Sequence, residues 1–170
     1  MMTLAQRRGP FLLALAALTV SAAFSTACGP SIDPITVLEP VDVVTGWYDE
    51  GIVDGKNKLV PSVTLKFRNK SAGPVSSIQV NAIFRRVGEQ EMWGEHFGWA
   101  VPRTPALAAG GETDVLVMRS ALGYTGEQPR MQMLQNHEFV DAKVDIFLKT
   151  GSRTWSKLGE YPIQRQLLTR

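Results

Sequence analysis

The fold is decided by residues 60–69, VPSVTLKFRN, in which apolar and polar side chains alternate. Val63, Leu65 and Phe67 fall on one side of an extended chain, and the intervening Thr64 and Lys66 fall on the other. A period of two is typical of a β-strand that buries one face and leaves the other in water. The stretch therefore predicts a strand whose three apolar side chains lie in the core.

The same alternation recurs in two other stretches. Residues 77–84, SIQVNAIF, and residues 141–151, DAKVDIFLKTG, each place four apolar side chains on one face. These inward-facing residues are Ile78, Val80, Ala82, Phe84, Ala142, Val144, Ile146 and Leu148. Further strands are predicted at residues 37–48, 91–101, 113–120 and 153–168. Together the segments predict an all-β fold, an antiparallel immunoglobulin-like β-sandwich of about seven strands.

Two segments between the predicted strands have a different character. Residues 49–58, DEGIVDGKNK, contain Gly51 and Gly55 and are predicted to be a turn-rich hairpin loop. Within residues 121–139, Met131 and Leu134 follow Pro129 at helical spacing, which predicts a short helix.

Residues 60–120 resemble part of a known family of sandwich domains. The matching segments are LKFRN, SSIQVNAIFRRVGE and LAAGGE, which follow one another in that order. They are similar to the immunoglobulin-like domains of the FxLYD and plant late-embryogenesis-abundant (type 2, water-stress) families. The resemblance implies the same fold and a function that is mostly non-enzymatic in those families.

Residues 1–27 have the parts of a secretory signal peptide. Arg7 and Arg8 supply positive charge, and the apolar run FLLALAALTVSAAF follows at residues 11–24. That run is shorter than the roughly 20 residues that a helix needs to cross a bilayer. Small residues follow it, as expected for a cleavage site.

Cys28 is the only cysteine of the chain, and it ends the tetrapeptide STAC. STAC resembles the lipobox of bacterial lipoproteins, whose cysteine becomes the new N-terminus and receives a diacylglycerol and usually an amide-linked acyl chain. The resemblance implies a lipid on Cys28 that binds a membrane. It also implies a place in the bacterial cell envelope, at the outer membrane or the cell surface. A soluble secreted protein and an uncleaved anchor are the alternatives that the signal peptide leaves open.

Cleavage before Cys28 divides the rest of the chain into two predicted parts. Residues 28–40 contain three prolines and are predicted to be a tether, and residues 41–170 are predicted to be the sandwich domain. The chain has 18 Lys and Arg against 16 Asp and Glu, and the loss of Arg7 and Arg8 balances the two. Because no cluster of basic residues is present, we expect no binding to nucleic acid.

The sequence lacks familiar catalytic motifs. It contains neither the Gly-x-Ser-x-Gly turn of many serine hydrolases nor the Gly-x-x-x-x-Gly-Lys loop that binds phosphates. We therefore expect no catalysis, no cofactor and no metal site. The alternative is an envelope enzyme or metal carrier, which requires the fold to bring His96 and His137 together with carboxylates such as Glu95, Glu138 or Asp141.

Trp93, Phe97 and Trp99 fall on one side of the predicted strand at residues 91–101. Large rings are commonly buried in sandwiches, so a core role is the preferred interpretation. Glu95 lies between them, however, and an unpaired carboxylate is costly in a core. The alternative is a surface for a partner, either another envelope protein or the cell wall. The expected function is a non-enzymatic binding or structural module of the cell envelope.

The lipid on Cys28 gives a first prediction. Mass spectrometry of the membrane fraction should find a mature N-terminus at Cys28 that carries the mass of a diacylglycerol. Cys28→Ala should release the protein from the membrane and leave its thermal melt unchanged, because the residue precedes the predicted domain. An unmodified thiol in protein that is free in the medium would contradict this prediction.

Overall fold

The computed structural model of the protein describes residues 32–168. The predicted signal peptide of residues 1–27, Cys28 with its predicted lipid, and the first residues of the predicted tether lie outside this range. Within it, nine strands form two sheets. None of its helices is long and apolar enough to span a bilayer.

The first sheet has five strands, and the second has four. The first contains β1 (Leu38–Val53), β2 (Lys56–Asn69), β5 (Leu116–Arg119), β6 (Tyr124–Gly126) and β9 (Leu167–Leu168). The second contains β3 (Ile78–Arg86), β4 (Gly94–Val101), β7 (Ala142–Thr150) and β8 (Ser156–Pro162). Two short helices, α1 (Pro34–Val37) and α2 (Arg130–Gln135), complete the described chain.

The strand orders place long strands at the centre of each sheet. The first sheet runs β5-β2-β1-β9, with β6 also paired to β2, and the second runs β4-β3-β7-β8. All pairings are antiparallel except the two-residue pairing of β9 with β1. The predicted all-β sandwich is therefore confirmed. Nine strands replace the seven or so expected, and β6 lies in a segment for which no strand was predicted.

The predicted faces of β2, β3 and β7 are also confirmed. Val63, Leu65 and Phe67 are buried, whereas Thr64 and Lys66 between them are partly exposed. The alternate residues of the other two strands lie in the same core cluster: Ile78, Val80, Ala82, Phe84, Ala142, Val144, Ile146 and Leu148. The core is thus built from single faces of strands in both sheets. The short helix predicted after Pro129 is present as α2.

The loop predicted at residues 49–58 is wrong. β1 and β2 continue as a paired hairpin, and only Asp54 and Gly55 turn the chain. Both residues have positive φ, at 50° and 77°. Positive φ at both central residues is what a two-residue hairpin turn with the right twist requires, and Asp-Gly adopts it readily. The other glycine of the segment, Gly51, lies at a register shift of the hairpin instead of in a loop.

The end of the predicted tether at residue 40 is also wrong. Asp33 caps α1, its carboxylate accepting a hydrogen bond from the amide of Ile35. Leu38 begins β1 and is fully buried. Two of the three prolines that suggested a tether have other roles, since Pro34 occupies the first turn of α1 and Pro40 pairs with Phe67 in the hairpin. Proline is tolerated at the start of a helix because its missing N–H would have no partner there.

Asn69 ends β2 and joins it to two neighbouring segments. Its buried side-chain amide donates to the carbonyl oxygens of Gly73, Leu107 and Ala108 at 2.9–3.1 Å. The side-chain oxygen Oδ1 of Asn69 accepts hydrogen bonds from the backbone amide and the hydroxyl of Ser71. A buried amide is costly without partners, so these bonds fix the turn after β2 and the connector between β4 and β5.

The register of β2 can be tested with two adjacent substitutions. Phe67→Ala should lower the free energy of unfolding by about 3–5 kcal/mol, because the ring is fully buried. Lys66→Ala should cost far less than Phe67→Ala, since its ion pair with Asp42 lies at the surface. Thermal or urea unfolding measures both values. The opposite ranking would mean that the strand is shifted by one residue.

Candidate functional site

β4 is an edge strand, and its outward face carries two exposed aromatic rings. Phe97 is 55% exposed and Trp99 is 50% exposed, and the exposed Glu95 shares their parity along the strand. At the C-terminal end of β4, Ala100 and Val101 are buried. The preferred core interpretation is therefore wrong for Phe97 and Trp99, because an outward position on an edge strand leaves them no second sheet to pack against.

Trp93 lies apart from the other two rings. β4 begins at Gly94, and the amide of Trp93 donates to the carbonyl oxygen of Phe84. The ring packs beside the core, with its centroid 6.1 Å from that of Trp47 and 5.0 Å from that of Tyr124. Trp93 precedes β4 and does not follow the in-and-out alternation of its side chains. Of the three aromatic residues predicted to share one face, only Phe97 and Trp99 do so.

A fourth tryptophan, Trp155, is partly exposed and lies beside Phe97. Trp155 precedes β8, at the opposite edge of the same sheet, and its ring meets Phe97 edge-on with centroids 6.0 Å apart. The ammonium group of Lys149 lies 4.7 Å from the centroid of Trp155. We call Phe97, Trp99 and Trp155 the aromatic surface. Nothing in the sequence groups Trp155 with β4, because the two segments are far apart in the chain and lie at opposite edges of the sheet.

The other end of the same outer face is polar and neutralised by its own ion pairs. Asp145 on β7 is buried between Arg85 and Lys157, whose ammonium group lies 2.6 Å from the carboxylate. Glu160 on β8 pairs with Lys143 and Lys157. Hydrogen bonds from Lys157 and then Lys143 lower the pKa of Glu160 to about 2. Because these charges already have partners, the aromatic end is the part of the face that is left to bind something else.

The two histidines do not form a metal site in the described part of the chain. His96 lies on β4, and His137 lies in the loop after α2, where its Nε2 is 2.9 Å from the carboxylate of Glu138. Glu95 accepts a hydrogen bond from Asn81, and Asp141 pairs with Arg165. Within residues 32–168, no group of three or more His, Cys, Asp or Glu side chains could hold a metal ion.

Comparisons with known proteins identify no family. No family model and no curated protein matches the chain. Among solved structures, the chain is similar to the X-ray structure of the Northeast Structural Genomics Consortium target SoR45, with 12% sequence identity and a TM-score of 0.44. The similarity covers 76% of this chain and 87% of that chain.

The different positions of Trp93 and Trp99 give a prediction about stability. Trp99→Ala should change the free energy of unfolding by less than about 1 kcal/mol, because half of the ring is already in water. Trp93→Ala should cost about 1–3 kcal/mol, since it removes ring contacts with Trp47 and Tyr124. Denaturant unfolding of the two variants measures the difference. A larger loss for Trp99→Ala would contradict the assignment of that ring to the surface.

Proposed function

We propose that the protein is a non-enzymatic, lipid-anchored binding module of a bacterial cell envelope, which binds a partner protein of that envelope through the aromatic surface. The observation that carries the proposal is the exposure of Phe97 and Trp99 on one face of one strand. Aromatic residues are enriched in protein interfaces, and tryptophan is prominent among the residues that contribute most of the binding energy.

The exposed rings have no evident structural purpose. The core cluster is filled by aliphatic and aromatic side chains from both sheets, and β4 supplies only Ala100 and Val101 to it. Isolated apolar residues on a surface are ordinary, but neighbouring large rings are typical of an interaction site. Contact between Phe97 and Trp155 also holds two of the rings in place before a partner arrives, and this lowers the entropy lost on binding.

The proposed membrane anchor is inferred from the sequence that precedes the domain. A predicted signal peptide that ends just before the single Cys28 supports attachment through lipid. Diacylglycerol together with an amide-linked acyl chain would hold the protein stably on the membrane, whereas one chain alone binds only marginally. An anchored module meets its partner at the membrane surface, where modest affinity suffices because both proteins are confined.

Site-specific photocrosslinking in cells that express the chain natively tests the proposed surface. A photoreactive residue in place of Trp99 should capture one envelope protein reproducibly. The same residue in place of Ile52, which is 71% exposed in the β1–β2 hairpin, should not capture it. Equal capture from both positions, or capture of wall glycan alone, would contradict the proposal.

Once that partner is purified, the contribution of the ring can be measured. Trp99→Ala should weaken binding by about 2 kcal/mol or more, which is roughly 30-fold in Kd. Ile52→Ala is the matched control and should leave Kd unchanged, because it also removes an exposed apolar side chain. Titration calorimetry measures both values. Unchanged affinity for Trp99→Ala would show that the partner binds elsewhere.

A further inference from the structure

The domain begins only a few residues after the predicted site of lipid attachment. Asp33 caps α1, and Val37 at the end of that helix belongs to the core cluster. Five residue steps separate Cys28 from Asp33. An extended chain spans at most about 3.6 Å per residue, so the Cα atoms of these two residues are no more than about 18 Å apart. A lipid on Cys28 would therefore hold this end of the domain close to the membrane surface.

The turn between β7 and β8 lies beside the start of the domain. Asp33 and Pro34 line a small cavity together with Arg153 and Thr154 of that turn. Arg153 is exposed, and Lys149 precedes the turn near the end of β7. Two basic side chains therefore lie at the end of the sandwich where the chain enters.

Two more basic side chains lie at the same end. The amide of Lys70 donates to the carbonyl oxygen of Val37 at 2.9 Å, which places Lys70 next to the end of α1. Arg103 follows β4, in the connector that the side chain of Asn69 joins to the end of β2. Lys70 and Arg103 are exposed. We call Lys70, Arg103, Lys149 and Arg153 the basic end.

The basic end holds most of the basic side chains that are free of ion pairs. Within residues 32–168, its four members have no ion pair with Asp or Glu, and the same holds for Lys56 and Lys58. Lys56 and Lys58 lie in the β1–β2 hairpin, at the opposite end of the sandwich. The charges of the basic end are thus available to an anionic surface.

Acidic side chains without a Lys or Arg partner are distributed the other way. Those near the hairpin and the loops around it are Asp54, Glu91, Glu127 and Glu138. Glu95 lies along β4, between the two ends. Near the basic end, Asp114 has no such partner, and the carboxylate of Asp33 accepts the capping hydrogen bond of α1. The protein therefore has a basic end at the chain entry and an acidic end opposite it.

We propose that the basic end rests on the anionic phospholipid headgroups of the membrane that holds the lipid of Cys28. The inference depends on the anchor in the proposed function and goes beyond it by stating how the domain is oriented. Each Lys or Arg close to an anionic leaflet strengthens the attraction about fivefold. The opposite end is repelled by the same surface, so the separation of charge within the domain sets its direction.

This orientation presents the aromatic surface to the side. β4 ends at Val101 near the basic end and begins at Gly94 near the opposite end, so its strand direction leads away from the membrane. Phe97 and Trp99 lie on the outer face of that strand. An upright domain directs this face along the membrane surface, where a partner in the same envelope can reach it.

Fluorescence quenching in vesicles tests the orientation. Lipid on Cys28 consumes the only thiol, so Ser152→Cys at the basic end or Ile52→Cys in the hairpin can each be labelled alone. The lipidated protein is added to vesicles of two parts phosphatidylcholine to one part phosphatidylglycerol that contain a lipid with a nitroxide headgroup. Quenching should be strong at position 152 and weak at position 52. Equal quenching at the two positions, or quenching at 152 that is as strong on phosphatidylcholine alone, would overturn the inference.

Two lysine substitutions test the role of charge. The fluorescence lifetimes of the label at position 152 give the ratio of domains that touch the headgroups to domains that do not. Lys70→Glu should lower this ratio about 25-fold, because one attraction is lost and one repulsion is gained. Lys56→Glu is the matched control at the opposite end and should not lower it. About 1 M NaCl, which shortens the Debye length to about 3 Å, should abolish the difference between the two variants. Equal ratios for the two variants at low salt would contradict electrostatic docking.

Failure of this inference can be told from failure of the proposed function. If photocrosslinking from position 99 captures an envelope protein and quenching is equal at positions 152 and 52, the orientation is wrong and the proposed function stands. If position 152 alone is quenched and no envelope protein is captured in cells, the membrane contact is correct and the proposed binding function is wrong.

Discussion

The burial of Val63, Leu65 and Phe67 between the sheets is the interaction on which the rest of the structure depends. β2 is the central strand of the larger sheet and pairs with β1, β5 and β6, so its register sets theirs. A shift of one residue would move all three side chains into water. The only cysteine of the chain precedes the described residues, so no disulfide supports the domain. Its stability comes from packing.

The same packing explains why β4 is available for another role. The central strands β3 and β7 supply most of the core on their side, whereas β4 contributes little beyond its buried C-terminal end. Apolar side chains on the outer face of an edge strand are therefore not needed for folding. Phe97 and Trp99 occupy that position, and Trp155 reaches them from the other edge. Substitutions of Phe97 or Trp99 should therefore leave the sandwich folded. For this reason we expect them to change the affinity for a partner without lowering the free energy of unfolding much.

Sequence-based prediction succeeded where one face of a strand is buried and failed where local signals were ambiguous. The alternation along β2, β3 and β7 predicted their buried residues because a period of two has one simple structural meaning. Glycines and acidic residues at positions 49–58 suggested a long loop, although a two-residue turn needs only Asp54 and Gly55. Trp93 was grouped with Phe97 and Trp99 because the sequence does not show that β4 begins at Gly94, and of the three rings only Trp93 packs against the core as expected.

The sequence by itself determined the class of fold and the buried faces of β2, β3 and β7, and its N-terminal segment and single cysteine predict export and lipid attachment. Each of these depends on local pattern or composition. Only the tertiary structure decided that Trp93 packs beside the core while Phe97 and Trp99 face water, and that Trp155 joins them. Burial of a ring depends on whether its strand lies at the centre or the edge of a sheet, and that position is set by pairing between residues far apart in the chain.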